Sequence, residues 1–261
     1  MSGQGLFGFR YRINRNRIGV TMKWCHNTML LVCLLLLSLG AVADEKADGE
    51  ALSVKLSADK PFTHVMHEGR SVRVQRIQDP EYELKGYYAK TARKCPPFCL
   101  QPMQVDPKVA TIGEIELFEF METKLRDKKG VLIDARTAEW FNRGTIPGSI
   151  NIPFTNLSKP GTPEMENALV LFGARARGTV STISLKLEEL GLMGDGDKTE
   201  KWDFSNAKEL VLWCNGPECG QSPRAIRGLL GAGYPADKIY YYRGGMQWWQ
   251  LWGLTTVVPA E

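Results

Sequence analysis

The sequence predicts an α/β protein built on a mainly parallel sheet with helices on both faces. Three observations carry this. Short, almost unbroken apolar runs at Val131–Ile133, Glu209–Trp213 and Ile239–Tyr242 suit strands buried on both sides. Segments with apolar residues at helical spacing lie between them. Strands alternating with helices are the pattern of a parallel sheet covered above and below.

Taken in order, Ser71–Ile77 alternates apolar and polar residues, as a half-buried strand does, and Asp79-Pro80 marks a turn after it. Ile112, Ile115, Leu117, Phe118 and Met121 predict a helix with Thr111 as N-cap and Glu114 three residues on, ending near Lys128-Lys129-Gly130. A buried strand over 131–133 closes at Asp134, Thr137–Arg143 suits one or two helical turns, and Ser149–Ile152 is a further strand. Helical patches follow at 164–172 and 184–190, then a Gly- and Asp-rich loop at 191–198. Glu209–Trp213 is the clearest strand. Ser222-Pro223 reads as N-cap and first residue of a helix to about Ala232. Ile239–Tyr242 is the last strand, with Tyr240, Tyr241 and Tyr242 covered on both faces. Gly244-Gly245 leads into a final helix whose Trp248, Trp249 and Trp252 fall at core spacing. No internal repeat is evident.

Charge and cysteine usage bound the function. The net charge of +4 comes from the first 43 residues, which hold five basic residues (Arg10, Arg12, Arg15, Arg17, Lys23) and no acidic ones. Removing those five from 33 leaves 28 Lys and Arg against 29 Asp and Glu, so a nucleic-acid partner is not expected. Basic residues, an apolar run from Met29 to Leu39, then Ala41-Val42-Ala43 form the three-part layout of a secretory signal cleaved after Ala43. The run is about 11 residues, short of the roughly 20 that span a bilayer. The alternative is an uncleaved inner-membrane anchor using Leu30–Val42. Met22 is an alternative start. Cys33 lies inside the apolar run and not beside the small residues, which argues against a lipoprotein anchor. A periplasmic location follows, and with it a compartment where disulfides persist. The expected organisation is a signal at 1–43, a flexible leader at 44–60, a cysteine-bearing extension at 61–108 and an α/β domain at 109–258.

Four cysteines remain after the signal, in two close pairs: Cys95/Cys99 and Cys214/Cys219. Pro96 and Pro97 keep the first pair out of a helix interior. A disulfide is the plain reading. A metal site with His64 and His67, a docking surface and a second sulfur relay are the others. The second pair lies in Leu210-Val211-Leu212-Trp213-Cys214-Asn215-Gly216-Pro217-Glu218-Cys219-Gly220-Gln221-Ser222-Pro223-Arg224. A buried strand ends at a cysteine, a glycine-bearing loop follows, and a helix begins. Loop amides and the helix N-terminus direct positive potential at that spot, so Cys214 is expected to be partly thiolate at neutral pH. Cys219 either resolves an adduct on Cys214 or closes the loop as a disulfide.

Two stretches together resemble the rhodanese family. Val131–Pro153 reads VLIDARTAEWFNRGTIPGSINIP, in which Asp134, Arg136, Glu139, Gly144, Ile146, Pro147, Gly148 and Asn151 fit the family's signature and Thr145 takes the place of the usual His. The second stretch supplies Cys214, Ser222, Ala225, Leu229, Gly233-Tyr234 and Tyr242-Arg243-Gly244-Gly245 before Trp248 and Trp249. The resemblance spans roughly 109–257 and implies the three-layer rhodanese-like fold. It further implies a sulfurtransferase or persulfide carrier, with Cys214 accepting sulfur from a small sulfur-containing anion such as thiosulfate and passing it to a thiol or a persulfide partner protein. No cofactor and no metal are implied. Asn215, Gly216, Gly220, Gln221, Ser222, Arg224 and Arg243 are the expected substrate-binding residues, and Asp134, Arg136 and Gly148 the structural motif. The loop is two residues longer than the family's usual one, and Gln221 stands where a loop arginine is common. A non-catalytic binding module and a thiol–disulfide protein using Cys214 and Cys219 are therefore the other function classes. A phosphatase on this fold would want an arginine closing the loop, and Arg224 is poorly placed for that.

Overall fold

The computed structural model describes residues 52–192 and 197–260. The expected signal segment, the first part of the leader and part of the 191–198 loop lie outside the described residues. No helix among the described residues is long and apolar enough to cross a membrane.

The chain opens with a hairpin, β1 (Thr63–His67) and β2 (Arg70–Val74), paired antiparallel. The elements that follow are β3 (Ala110–Ile112), α1 (Glu114–Phe120, continuing as a π turn over Met121–Leu125), β4 (Gly130–Asp134), α2 (Ala138–Asn142) and β5 (Ser149–Asn151). Next come α3 (Phe154–Leu157), α4 (Pro163–Leu171), β6 (Arg175–Ala176), α5 (Thr182–Glu189), β7 (Trp202–Asp203), β8 (Glu209–Trp213), α6 (Gln221–Gly231), β9 (Ile239–Tyr242) and α7 (Gly245–Leu251). Five strands form one sheet in the order β3-β9-β8-β4-β5, every pairing parallel. The α/β fold with a parallel sheet is thus the one the apolar runs predict.

The period-2 alternation of side chains explains why those runs are continuous. Val131, Ile133, Leu210, Leu212, Ile239 and Tyr241 face one cluster, with Leu157, Met165, Leu169, Phe172, Ile226 and Leu229 from α3, α4 and α6. Leu132, Val211, Trp213 and Tyr242 face the other, with Leu117, Phe118, Met246 and Trp249 from α1 and α7. The central strand residues are apolar because neither face meets water.

Several expectations shift. Thr111 and Ile112 are not the start of a helix: they are still extended, paired with Tyr241 and Tyr242 as the sheet's edge. The helix starts two residues later, with Gly113 as N-cap donating its N–H to the Glu116 carboxylate at 2.9 Å. Of the three tryptophans in the last helix, only Trp249 is fully buried; Trp252 is 48% exposed, with the Arg76 guanidinium over its ring.

Residues 52–60 do not form a free leader. Leu56 packs against the second cluster, Gln78 exchanges hydrogen bonds with the Val54 backbone at 3.1 and 2.8 Å, and Lys60 pairs with Glu122. Nor does the extension stand apart from the α/β part. Val65 and Val74 lie in the same cluster as Leu132 and Trp249, and the backbone after β2 pairs with the chain's end, with Thr255 N–H donating to Gln75 O at 3.0 Å.

The closest helix contact is between α3 and α6, where a Cβ on Gly228 would overlap the Leu157 carbonyl. Gly228→Ala forces the two helices apart, and the expected loss is about 1–3 kcal/mol of stability. Urea unfolding should show a lower midpoint at unchanged slope.

Candidate functional site

The connection from β4 runs outward to β5, while β8 connects the other way, to β9. The carboxyl ends of β4 and β8 therefore flank the point where the strand order reverses, which is where open parallel sheets place their reactive groups. The residues there are Asp134 and Cys214.

Cys214 is 2% exposed and a free thiol. The α6 helix begins at Gln221 with Gly220 as N-cap, so Ser222 is not the N-cap that the sequence suggests. Its side chain turns inward, fully buried, and its hydroxyl donates to Cys214 Sγ at 3.0 Å. The hydroxyl is spent on sulfur, and the first turn of the helix is aimed at it. Burial alone pushes the Cys214 thiol up. Hydrogen bonds from the Cys219 thiol, the Ser222 hydroxyl and the backbone amides of Ser222 and Gln221 outweigh it, and the thiol sits below its ordinary value. When protonated, Cys214 donates to the Cys219 carbonyl at 3.3 Å. Cys219 shifts oppositely: donating to the Cys214 sulfur, together with burial, raises it well above the usual thiol range.

Cys219 is also free, so no disulfide closes the loop. The loop is held by its own turn, Cys219 N–H to Gly216 O at 2.9 Å, and by α7, whose Met246 and Gln247 amides donate to the Cys214 and Asn215 carbonyls at 3.0 and 2.9 Å. Gly216 is required by close approach: a Cβ there would lie 2.8 Å from Glu218 Oε2 and 3.0 Å from Gln247 Cβ.

Beside the loop lies a buried ion pair. Arg136 is 1% exposed and Asp134 0%. Arg136 Nε and Nη2 donate to the two Asp134 oxygens at 2.8 and 2.5 Å, and Nη2 also donates to Gly144 O at 2.7 Å. Thr145, in place of the family's usual His, donates its hydroxyl to Asp134 at 2.9 Å. Arg136 Nη1 donates to the Tyr88 hydroxyl at 3.2 Å, and Tyr88 donates to Asn215 Oδ1 at 2.7 Å. Asp134, Arg136, Tyr88 and Asn215 thus form one buried chain ending beside Cys214.

Tyr88 belongs to the extension and was not among the expected site residues. Nor were Arg93 and Gln101, which join it over the loop. Arg93 pairs with Glu218 at 3.0 Å and donates to Gln247 at 2.7 Å. Gln101 N–H donates to Pro217 O at 2.8 Å. A disulfide joins Cys95 and Cys99 within this strap. The Gly86-Tyr87-Tyr88 cluster in an otherwise polar stretch is the one sequence signal for it.

Two expected contacts are not made. Arg224 is exposed, with its guanidinium 5.7 Å from the Phe154 ring and directed away from the sulfur. Its place in the exposed row of α6 dictates this. Arg243 does not face the thiol either; it donates to Gln101 O at 2.8 Å, anchoring the strap. Gly220 lies under Gln101. Gly148 donates its N–H to His67 Nδ1 at 3.2 Å. His64 and His67 project from opposite faces of β1, one exposed and one buried, and the two cysteines are joined to each other, so the four do not converge on a metal. Among the described residues no cluster of three or more potential metal ligands occurs.

A rhodanese-like domain model matches residues 119–251. The chain belongs to the rhodanese-like family. Similar solved structures include the BH2092 protein from Bacillus halodurans, at 15% identity over 54% of this chain and 72% of that one, TM-score 0.32. A human single-domain sulfurtransferase, TSTD1, is 21% identical over 54% of this chain and 96% of its own, TM-score 0.31. A thiosulfate sulfurtransferase from Pseudomonas aeruginosa is 18% identical over 57% and 20%, TM-score 0.31. A search of curated proteins finds no match. The strap over 87–101 lies outside the residues that match the rhodanese-like model.

Tyr88→Phe leaves a buried Arg136 donor and the Asn215 carbonyl without their partner. The expected cost is about 1–3 kcal/mol, read as a lower denaturation midpoint, while Tyr87→Phe removes no such bond and leaves the midpoint nearly unchanged.

Proposed function

We propose that this chain is an exported rhodanese-type sulfurtransferase or persulfide carrier with Cys214 as the sulfur-accepting nucleophile. The observation that carries the reading is the placement of Cys214 Sγ at the start of α6, where the Ser222 hydroxyl donates to it at 3.0 Å. A sulfur held this way is a nucleophile near neutral pH, and the same donors can receive the negative outer sulfur once a persulfide forms.

With thiosulfate as donor, the Cys214 thiolate attacks the sulfane sulfur. A new S–S bond forms, the S–SO3 bond breaks, and sulfite leaves with the electron pair. The persulfide then passes its outer sulfur to an acceptor thiolate, which regenerates the Cys214 thiolate. The helix N-terminus favours an anionic donor. Asn215, fixed by Tyr88, and Gly216, pressed against α7, set the loop's shape. At 2% exposure the sulfur meets a donor when the 215–219 turn or the strap above it shifts.

No arginine reaches Cys214 among the described residues: Arg224 lies outward and Arg243 holds the strap. A phosphatase reading therefore lacks its anion clamp. Export is supported by the signal-like residues before Asp44 and by the Cys95–Cys99 disulfide, which suits an oxidising compartment.

The test is mass spectrometry of the gently reduced protein after exposure to thiosulfate. The peptide bearing Cys214 is expected to gain sulfur chemistry with release of sulfite, and Cys214→Ala is expected to abolish both. Sulfite release that persists in Cys214→Ala would remove Cys214 from the reaction.

A further inference from the structure

The sulfur relay needs one cysteine, but the loop buries two. Cys219 is 8% exposed and is not oxidised, and its carbonyl accepts from the Cys214 thiol at 3.3 Å. Its own thiol donates to Gln221 Oε1 at 3.6 Å. The turn that closes between Cys219 N–H and Gly216 O brings it back over the strand end. The lengthened loop is what supplies the residue at this place. A rhodanese that only handed sulfur to an external thiol would have no use for a second thiol packed against the first.

We propose that Cys219 is a resolving thiol, so that the protein reduces bound sulfane sulfur to sulfide and is left with a Cys214–Cys219 disulfide. This rests on the sulfurtransferase reading of Cys214 and extends it. In the persulfide the negative charge moves from Cys214 Sγ to the outer sulfur. Cys219 then loses the neighbouring anion that holds its proton. The proton passes to the outer sulfur, and the Cys219 thiolate attacks Cys214 Sγ. The Cys214–Cys219 bond forms, the bond to the outer sulfur breaks, and hydrosulfide leaves with the electron pair. The sulfane sulfur is reduced and the two cysteine sulfurs are oxidised, so this step needs no outside reductant. Return to the dithiol requires an external dithiol reductant, which makes the chain a reductase for sulfane sulfur at the expense of a dithiol.

The experiment uses the full chain, reduced and freed of reductant, exposed to thiosulfate for a single turnover. Sulfite and sulfide are measured in solution, and the tryptic peptide 209–224, which holds both cysteines, is weighed. The expected result is stoichiometric sulfide together with sulfite, and a wild-type peptide lighter by two hydrogens. Cys219→Ser and Cys219→Ala should release sulfite but no sulfide and retain one added sulfur on Cys214. Two replacements are used so that a fold defect in one, visible as a lost thermal transition, does not decide the matter. A wild-type persulfide that persists, with no sulfide until an external thiol is added, would overturn the resolving role and leave sulfur transfer standing. Failure of the wild type and both variants to release sulfite would overturn the sulfurtransferase reading, and the resolving role with it.

Discussion

A thiol buried at the end of a strand can ionise only if the protein compensates the charge, and the site is organised around that requirement. Cys214 is 2% exposed, and Leu212 and Trp213 before it in the chain are fully buried. Its compensation comes from groups that the fold places there for independent reasons: the free amides at the start of α6, the Ser222 hydroxyl and the Cys219 thiol. The reversal of strand order between β4 and β8 opens the space in which these groups meet. The same demand shapes the neighbouring pair, where Arg136 is fully enclosed and each of its three guanidinium nitrogens finds an acceptor among Asp134, Gly144 and Tyr88. A pair buried so completely adds little net stability but fixes geometry, because either partner alone would be a stranded charge.

The strap changes the character of the site. Tyr88 completes the chain from Asp134 to Asn215, while Arg93, Gln101 and Arg243 tie the extension to the loop and to α7. The reactive loop is thus enclosed by residues that precede the α/β part of the chain. The disulfide between Cys95 and Cys99 confines the segment that bears Gln101.

The sheet was legible because burial on both faces imprints continuous apolar runs, and Glu209–Trp213 and Ile239–Tyr242 have the limits the sequence suggests. Cys214 and its loop were legible because strand, glycines and helix start follow one another locally. What failed was local reasoning about groups with distant partners. Thr111 has good N-cap chemistry, but β9 pairs with it first. Ser222 has the same chemistry, but a sulfur eight residues earlier takes its hydroxyl. Arg243 sits beside Gly244-Gly245 at the end of β9 and is claimed by Gln101. Tyr88 is separated from Asn215 by more than a hundred residues, and no periodicity marks a side chain whose role is one hydroxyl group.

The lowered ionisation of Cys214 follows from the donors that enclose it. It is tested most directly by titrating thiolate absorbance in the ultraviolet, taken as the difference between the protein and its Cys214→Ala variant. A single ionisation below the ordinary thiol value of about 8.5 is expected, moved upward in Ser222→Ala. An ionisation at or above that value, unmoved by Ser222→Ala, would mean that burial prevails over the donors and would contradict the account.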